Sequence, residues 1–146
     1  MQLFDAHAHL AAKEFAWDLP EVLARAEAVG VRGVVAVGET LEEAEQILTL
    51  AERHPLVKPA AGLYPTILDQ DAADAMVRFI RRHADRLVAL GEVGLDHWMI
   101  KDETGWKVQE EILAKVVMLS EELGLPLNVH SRSAGRHCIA VLREHG

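Results

Sequence analysis

In Phe4-Asp5-Ala6-His7-Ala8-His9 two imidazoles stand at alternate positions, just after a short apolar lead-in of Met1, Leu3 and Phe4. Alternate side chains of an extended backbone share a face, so His7 and His9 point the same way. That pair suits a divalent ion of zinc type, which accepts ring nitrogens at roughly 2.0–2.1 Å. Asp5, two residues earlier on the same side, is either a further ligand or an orienter of an imidazole. Glu92 closes an apolar run between glycines, in Leu90-Gly91-Glu92-Val93-Gly94-Leu95-Asp96. A carboxylate there can bridge two ions about 3.5–4 Å apart, which polarises a phosphoryl oxygen and activates water. The ordinary alternative is a loop acid that caps a turn. His130 ends another apolar run, as a ligand or as a satisfied core histidine. Arg132, two residues on, grips an anion bidentately or is simply solvated. Asp96 either holds a catalytic water or caps its loop, and His97 is expected to line the same site.

Other residues carry weaker signals. His54, His83 and His145 fall at helix ends, where a cation suits the dipole, and His137 falls on the last helix. Trp17, Trp98 and Trp106 can stack on a base, although loop aromatics more often pack the seam between helix and sheet. Neither a Walker loop nor a dinucleotide fingerprint is present, and no serine has a nucleophile-elbow context. Cys138 sits in a helical stripe and reads as packing.

The elements that must position these residues alternate. Continuous apolar runs at 2–5, 33–37, 58–63, 87–92 and 126–130 read as parallel strands covered on both faces. Amphipathic helices lie between them. One starts at Pro20, with Val22, Leu23, Ala26 and Val29 on a stripe and Gly30 as its stop. The next opens on the capping-box spacing Thr40-Leu41-Glu42-Glu43 and ends before Pro55. Others run over 71–83, 106–123 and 133–144. The βαβα order predicts either a doubly wound sheet or a (β/α)₈ barrel. Polar residues gather just after the strands: Asp5/His7/His9, Glu39, Tyr64, Glu92/Asp96 and His130/Arg132. A site drawn from strands one, four and five favours the barrel.

Composition sets limits. The 146 residues make one domain, half of them hydrophobic, with mean hydropathy near zero. No apolar run approaches the roughly 18–20 residues of a membrane span, and Asp5 and His7 come too early for a cleaved leader. The single cysteine excludes a cysteine metal cluster and suits the cytoplasm. A net charge of −8 argues against a nucleic-acid binder with a basic surface, but not against a nuclease whose site charge is inverted by bound metal.

Taken in order, the motifs resemble the TatD family of metal-dependent hydrolases, in the amidohydrolase superfamily. Phe4 to Leu10 resembles its Asp-x-His-x-His signature, and Ala89 to Asp96 its Gly-Glu-(Ile/Val)-Gly-Leu-Asp signature. Gln109, Ile112 and Lys115 echo a Gln-x-x-Phe-x-x-Gln helix, and Leu125 to Arg132 an (Ile/Val)-His-x-Arg strand. The resemblance implies a TIM-type (β/α)₈ barrel, here stopping after about five strands. It also implies two divalent ions (Zn, Mn or Mg), with His7 and His9 on one, His130 on the other and Glu92 bridging as the catalytic carboxylate. Tyr64, Asp96 and Arg132 are the expected substrate contacts. DNA ends or a small phosphodiester are the expected substrates.

Three departures matter. Gly62-Leu63-Tyr64-Pro65 has tyrosine where the family usually has a site histidine. His97-Trp98 follows Asp96, where the family commonly has an aromatic pair. The family's ligand histidine at strand six and its Thr-Asp-(Ser/Ala)-Pro aspartate have no counterparts in these residues. Five strands leave a barrel interior open, so the chain is expected to be part of a longer protein, to complete a barrel with other copies or to settle as an open sheet. Strong self-association, as a homo-oligomer, is expected. The competing functions are a hydrolase of another small ester or amide, and a partial barrel that binds metal or a partner without turnover.

Overall fold

The computed structural model describes residues 2–146; Met1, part of the apolar lead-in, lies outside them. Five βα units follow one another: β1 (Leu3–Ala8), α1 (Leu19–Ala28), β2 (Val31–Ala36), α2 (Leu41–Arg53), β3 (Val57–Ala61), α3 (Gln70–His83), β4 (Ala89–Asp96), α4 (Glu103–Leu123), β5 (Leu127–Arg132) and α5 (Gly135–His145). All pairings are parallel. The spatial order of the strands is β1-β2-β3-β4-β5, the same as the chain order. A doubly wound sheet reverses direction partway, whereas a barrel wall advances one stave at a time. The order therefore decides for the barrel.

The helices start where the sequence supplies caps. Thr40 Oγ1 accepts from the Glu43 amide at 3.2 Å. The Glu43 carboxylate accepts from Glu39 N–H at 2.7 Å, one residue earlier than a capping box would have it. Asp69 caps α3 through the amides of Asp71 and Ala72, and Asp102 caps α4 through Gly105. The principal core lies between β4 and helices α3, α4 and α5, with Met76, Ile80, Leu90, Leu95, Leu113 and Leu119 almost wholly excluded from solvent.

Three sequence expectations change. Strand β4 does not stop at Glu92 but runs to Asp96, with all eight residues buried. Val29 leaves the buried stripe of α1 and is 74 % exposed, because the helix ends at Ala28 and the chain turns at Gly30. Trp17 packs no seam; it is 94 % exposed. No helix among the described residues is long and apolar enough to cross a membrane.

Candidate metal centre

The strand period assembles the site. Because β4 continues past Glu92, residues 92, 94 and 96 share one face, so Glu92 and Asp96 project to the same side, with Gly94 between them. Gly94 is glycine for a steric reason: a Cβ there would overlap the carbonyl oxygen of His130 on β5. Gly62 answers the same need beside the Glu92 carbonyl. The Gly94 approach seats β5 against β4 in register, with Gly94 opposite His130 and Asp96 opposite Arg132; the Gly62 approach lets the end of β3 lie against β4.

The His7 and His9 Nε2 atoms lie 3.2 Å apart. Oε2 of Glu92 lies 3.4 Å from His9 Nε2 and 3.9 Å from His7 Nε2. These three residues form a group whose ligand atoms all lie within 4.8 Å of one another. Glu92 is 5 % exposed, and its Oε2 is buried without a hydrogen-bond partner. A lone carboxylate oxygen, buried and facing two imidazole nitrogens, is costly unless a cation or proton occupies the space between them. The donor set of two imidazoles and a carboxylate fits a divalent ion.

The far side of Glu92 is already engaged. Its Oε1 is 2.7 Å from His130 Nδ1, and His130 Nε2 is 3.0 Å from Asp96 Oδ2. Asp96 is wholly buried. Its other oxygen accepts from the Trp98 and Met99 amides at 2.9 and 2.7 Å. Burial works to raise its carboxyl, but the Met99 amide, His130 and the Trp98 amide outweigh this and hold it below the usual carboxylate range. Asp96 thus sits behind His130 and caps its turn, a different place from the substrate contact expected of it.

Tyr64 does face the site, its ring edge-on to His130 at 5.1 Å between centroids. Partial burial and the Asp96, Glu92 and Glu39 carboxylates push its hydroxyl up, with Arg132 opposing. Arg132 is exposed at the end of β5. Asp5 does not turn toward the imidazoles; its Oδ1 accepts from the His7 backbone N–H at 3.0 Å. His97 does not line the site. It falls on the opposite face of the β4 end, stacked on Trp106 at 4.4 Å and edge-on to His137 at 4.8 Å. Burial, and then His137, depress its ring.

Sequence reasoning passed over Asn128 and gave Glu39, noted among the polar residues after the strands, no role of its own. Asn128 on β5 reaches across to β1, where its Oδ1 is 2.9 Å from His7 Nδ1 and its amide donates to the Ala6 carbonyl at 2.7 Å. Only its polarity within an apolar run could have flagged it. Glu39 stands 3.8 Å from His9 Nδ1, and partial burial pushes its carboxyl up. The expected helix motif has a structural meaning. Gln109, 1 % exposed, accepts from Asp96 N–H at 3.2 Å and donates to the Pro65 carbonyl at 2.8 Å.

Comparison with known proteins identifies the family and the fold. The family described as TatD related DNase matches residues 4–146. The chain is 40 % identical to the deoxyribonuclease TATDN3 of Homo sapiens, covering 99 % of this chain and 57 % of that protein. It is 33 % identical to the 3'-5' ssDNA/RNA exonuclease TatD of Enterobacter lignolyticus, covering 96 % and 54 %. The crystal structure of YJJV, a TatD homologue from Escherichia coli K12, superposes with a TM-score of 0.87 at 27 % identity, over 98 % of this chain and 56 % of that one. The chain thus spans about half the length of the relatives it matches. With the sheet order, the His7–His9–Glu92 group and the family match in agreement, the chain belongs to the TatD-related DNase family.

Proposed function

We propose that these residues carry the metal centre of a phosphodiesterase that acts on DNA, with His7, His9 and Glu92 holding a divalent ion. The observation that carries this reading is the partnerless Glu92 Oε2 facing the two Nε2 atoms. Such an ion supplies Lewis-acid polarisation of a phosphoryl oxygen and activation of water. Asn128 fixes the His7 ring by engaging Nδ1, which leaves Nε2 for the ion. His130, set between Glu92 and Asp96, orients the Glu92 carboxylate and can pass a proton to it. Zinc, manganese and magnesium all suit these donors. A second ion at Glu92 and His130 is the finer part of the proposal; it would replace the 2.7 Å hydrogen bond between them.

Relatives named as a deoxyribonuclease and an ssDNA/RNA exonuclease support a nucleic-acid substrate. Tyr64, in the place where the family usually has histidine, favours as second reading a different small ester or amide substrate. We propose further that copies of the chain associate through β1 and β5. Both strands have one unpaired edge, and Leu3 and Phe4 of β1 are 39 and 68 % exposed. A monomer in sedimentation equilibrium would overturn that.

The deciding experiment measures metal per chain in protein purified without chelators, together with Mn²⁺-dependent cleavage of single-stranded DNA. One or two equivalents with cleavage are expected. His7→Ala should lower metal affinity by about 100-fold or more, the upper end of what even ligand-orienting partners contribute. Its stability should stay within about 0.5 kcal/mol, since the side chain is 40 % exposed. Metal retained in His7→Ala would overturn the ligand assignment. Cleavage of esters or amides but not of DNA would favour the second reading.

A further inference from the structure

One cluster at the rim of the site takes no part in the metal centre. Arg132 lies two residues beyond His130 on β5, so it shares that face and stands about 6.6 Å farther along the strand. That step is comparable with the spacing of neighbouring phosphates in an extended nucleic-acid strand. The Arg132 guanidinium carbon lies 3.8 Å from the centroid of the Trp98 ring. Lys101 Nζ lies 5.6 Å from the same centroid, and the Trp98 side of the loop stays open, with that residue 51 % exposed.

Among the described residues, neither Arg132 nor Lys101 has a carboxylate within ion-pairing distance. Elsewhere on the surface Arg81, Arg86 and Lys115 are each tied to a carboxylate at 2.6 Å. These two cations are therefore uncommitted, next to a centre lined by Glu39 and Glu92 in a chain of net charge −8. An ion at the His7–His9–Glu92 group offsets the charge of the reacting phosphate, but the next phosphate along a strand still needs cations. A guanidinium stacked on a ring is held in plane with its N–H edge free for a phosphate. The platform is also indexed to the centre: Asp96, which engages His130 with one oxygen, accepts from the Trp98 backbone amide with the other.

We propose that Trp98 is a positioning residue that stacks Arg132, with Lys101 beside it, into a clamp for the phosphate next to the one being cleaved. The site then prefers an oligonucleotide strand to an isolated phosphodiester. The proposal rests on the phosphodiesterase reading above and deepens it.

The test uses the full chain and the variants Trp98→Ala, Trp98→Phe and Arg132→Ala, checked for native circular dichroism. Binding of a short fluorescein-labelled oligothymidylate is followed by anisotropy in EDTA. Turnover of that strand and of bis(4-nitrophenyl) phosphate is followed with Mn²⁺. Trp98→Ala and Arg132→Ala should weaken strand binding by about fivefold or more, the lower end of a lost stacking contact. In Trp98→Ala the KM for the strand should rise in step while kcat stays within about twofold, and the small diester should be unaffected. Trp98→Phe should restore most of the loss. Equal losses on both substrates, strand binding unchanged in Trp98→Ala, or no strand binding by the parent chain would each overturn the clamp. If the parent chain cleaves neither substrate, the phosphodiesterase reading fails, and the anisotropy comparison alone decides the clamp.

Discussion

The two halves of the metal group are built in opposite ways. On β4 every residue is buried; Glu92 is joined through His130 to Asp96, and Gln109 holds the Asp96 backbone from behind. On β1 residues 3–7 are exposed, and His7 on that strand and His9 just past its end have side chains 40 and 38 % accessible. The buried half sets position, because its groups cannot move without leaving polar atoms unpaired. The open half is adjustable and gains order from what binds it. A metal bound across the two would therefore stabilise β1 far more than β4.

This contrast is open to attack from both sides. Gly94→Ala should have the largest effect, since its methyl would overlap the His130 carbonyl and force β5 off β4. A loss of more than about 4 kcal/mol, or failure to fold, is expected in urea denaturation. Gln109→Ala should cost roughly 2–4 kcal/mol, because it strands the Asp96 amide and the Pro65 carbonyl and leaves a void. Asn128→Ala belongs to the open half. It should lower metal affinity by about 10-fold or more while moving stability little; a large stability loss without a metal effect would erase the contrast.

The smallest effect concerns pH. The His97 ring is depressed by burial and by His137, with Glu110 and Asp96 opposing. The unfolded chain therefore binds the proton more readily than the folded one. The stability tied to neutral His97 is complete above about pH 6.5 and drains away as pH falls through the lower folded value. Asp96 follows at lower pH, its depressed carboxyl stabilising the fold above about pH 3.9 and ceasing to as pH falls through its folded value. His97→Phe should flatten the first part of the stability–pH curve and leave the second. An unchanged slope between about pH 6.5 and 5 would show that His97 is not its source.

The five strands and the cap at Thr40 were readable because each rests on local periodicity or local turn chemistry, whereas the convergence of His7, His9 and Glu92 was readable only from the order of motifs that resembles a known family. The end of β4 was misjudged. Glycines flanking an acid look like a turn, but here they admit the backbone of β5, and the strand runs four residues farther. That single error accounts for two others. It left Asp96 in a loop when it shares the Glu92 face, and it turned His97 toward a site it faces away from. Asn128 was passed over because its partner is 121 residues away in sequence, a contact no local pattern encodes.

Gln109 has a consequence for motion. It ties the end of β4 to the segment after β3, so the walls bearing Tyr64 and Asp96 are fastened through one side chain of α4. In native-state hydrogen exchange, the Asp96 amide should then open only in step with the α4 interior, near the global limit. The amides of β1 should exchange through far shallower openings.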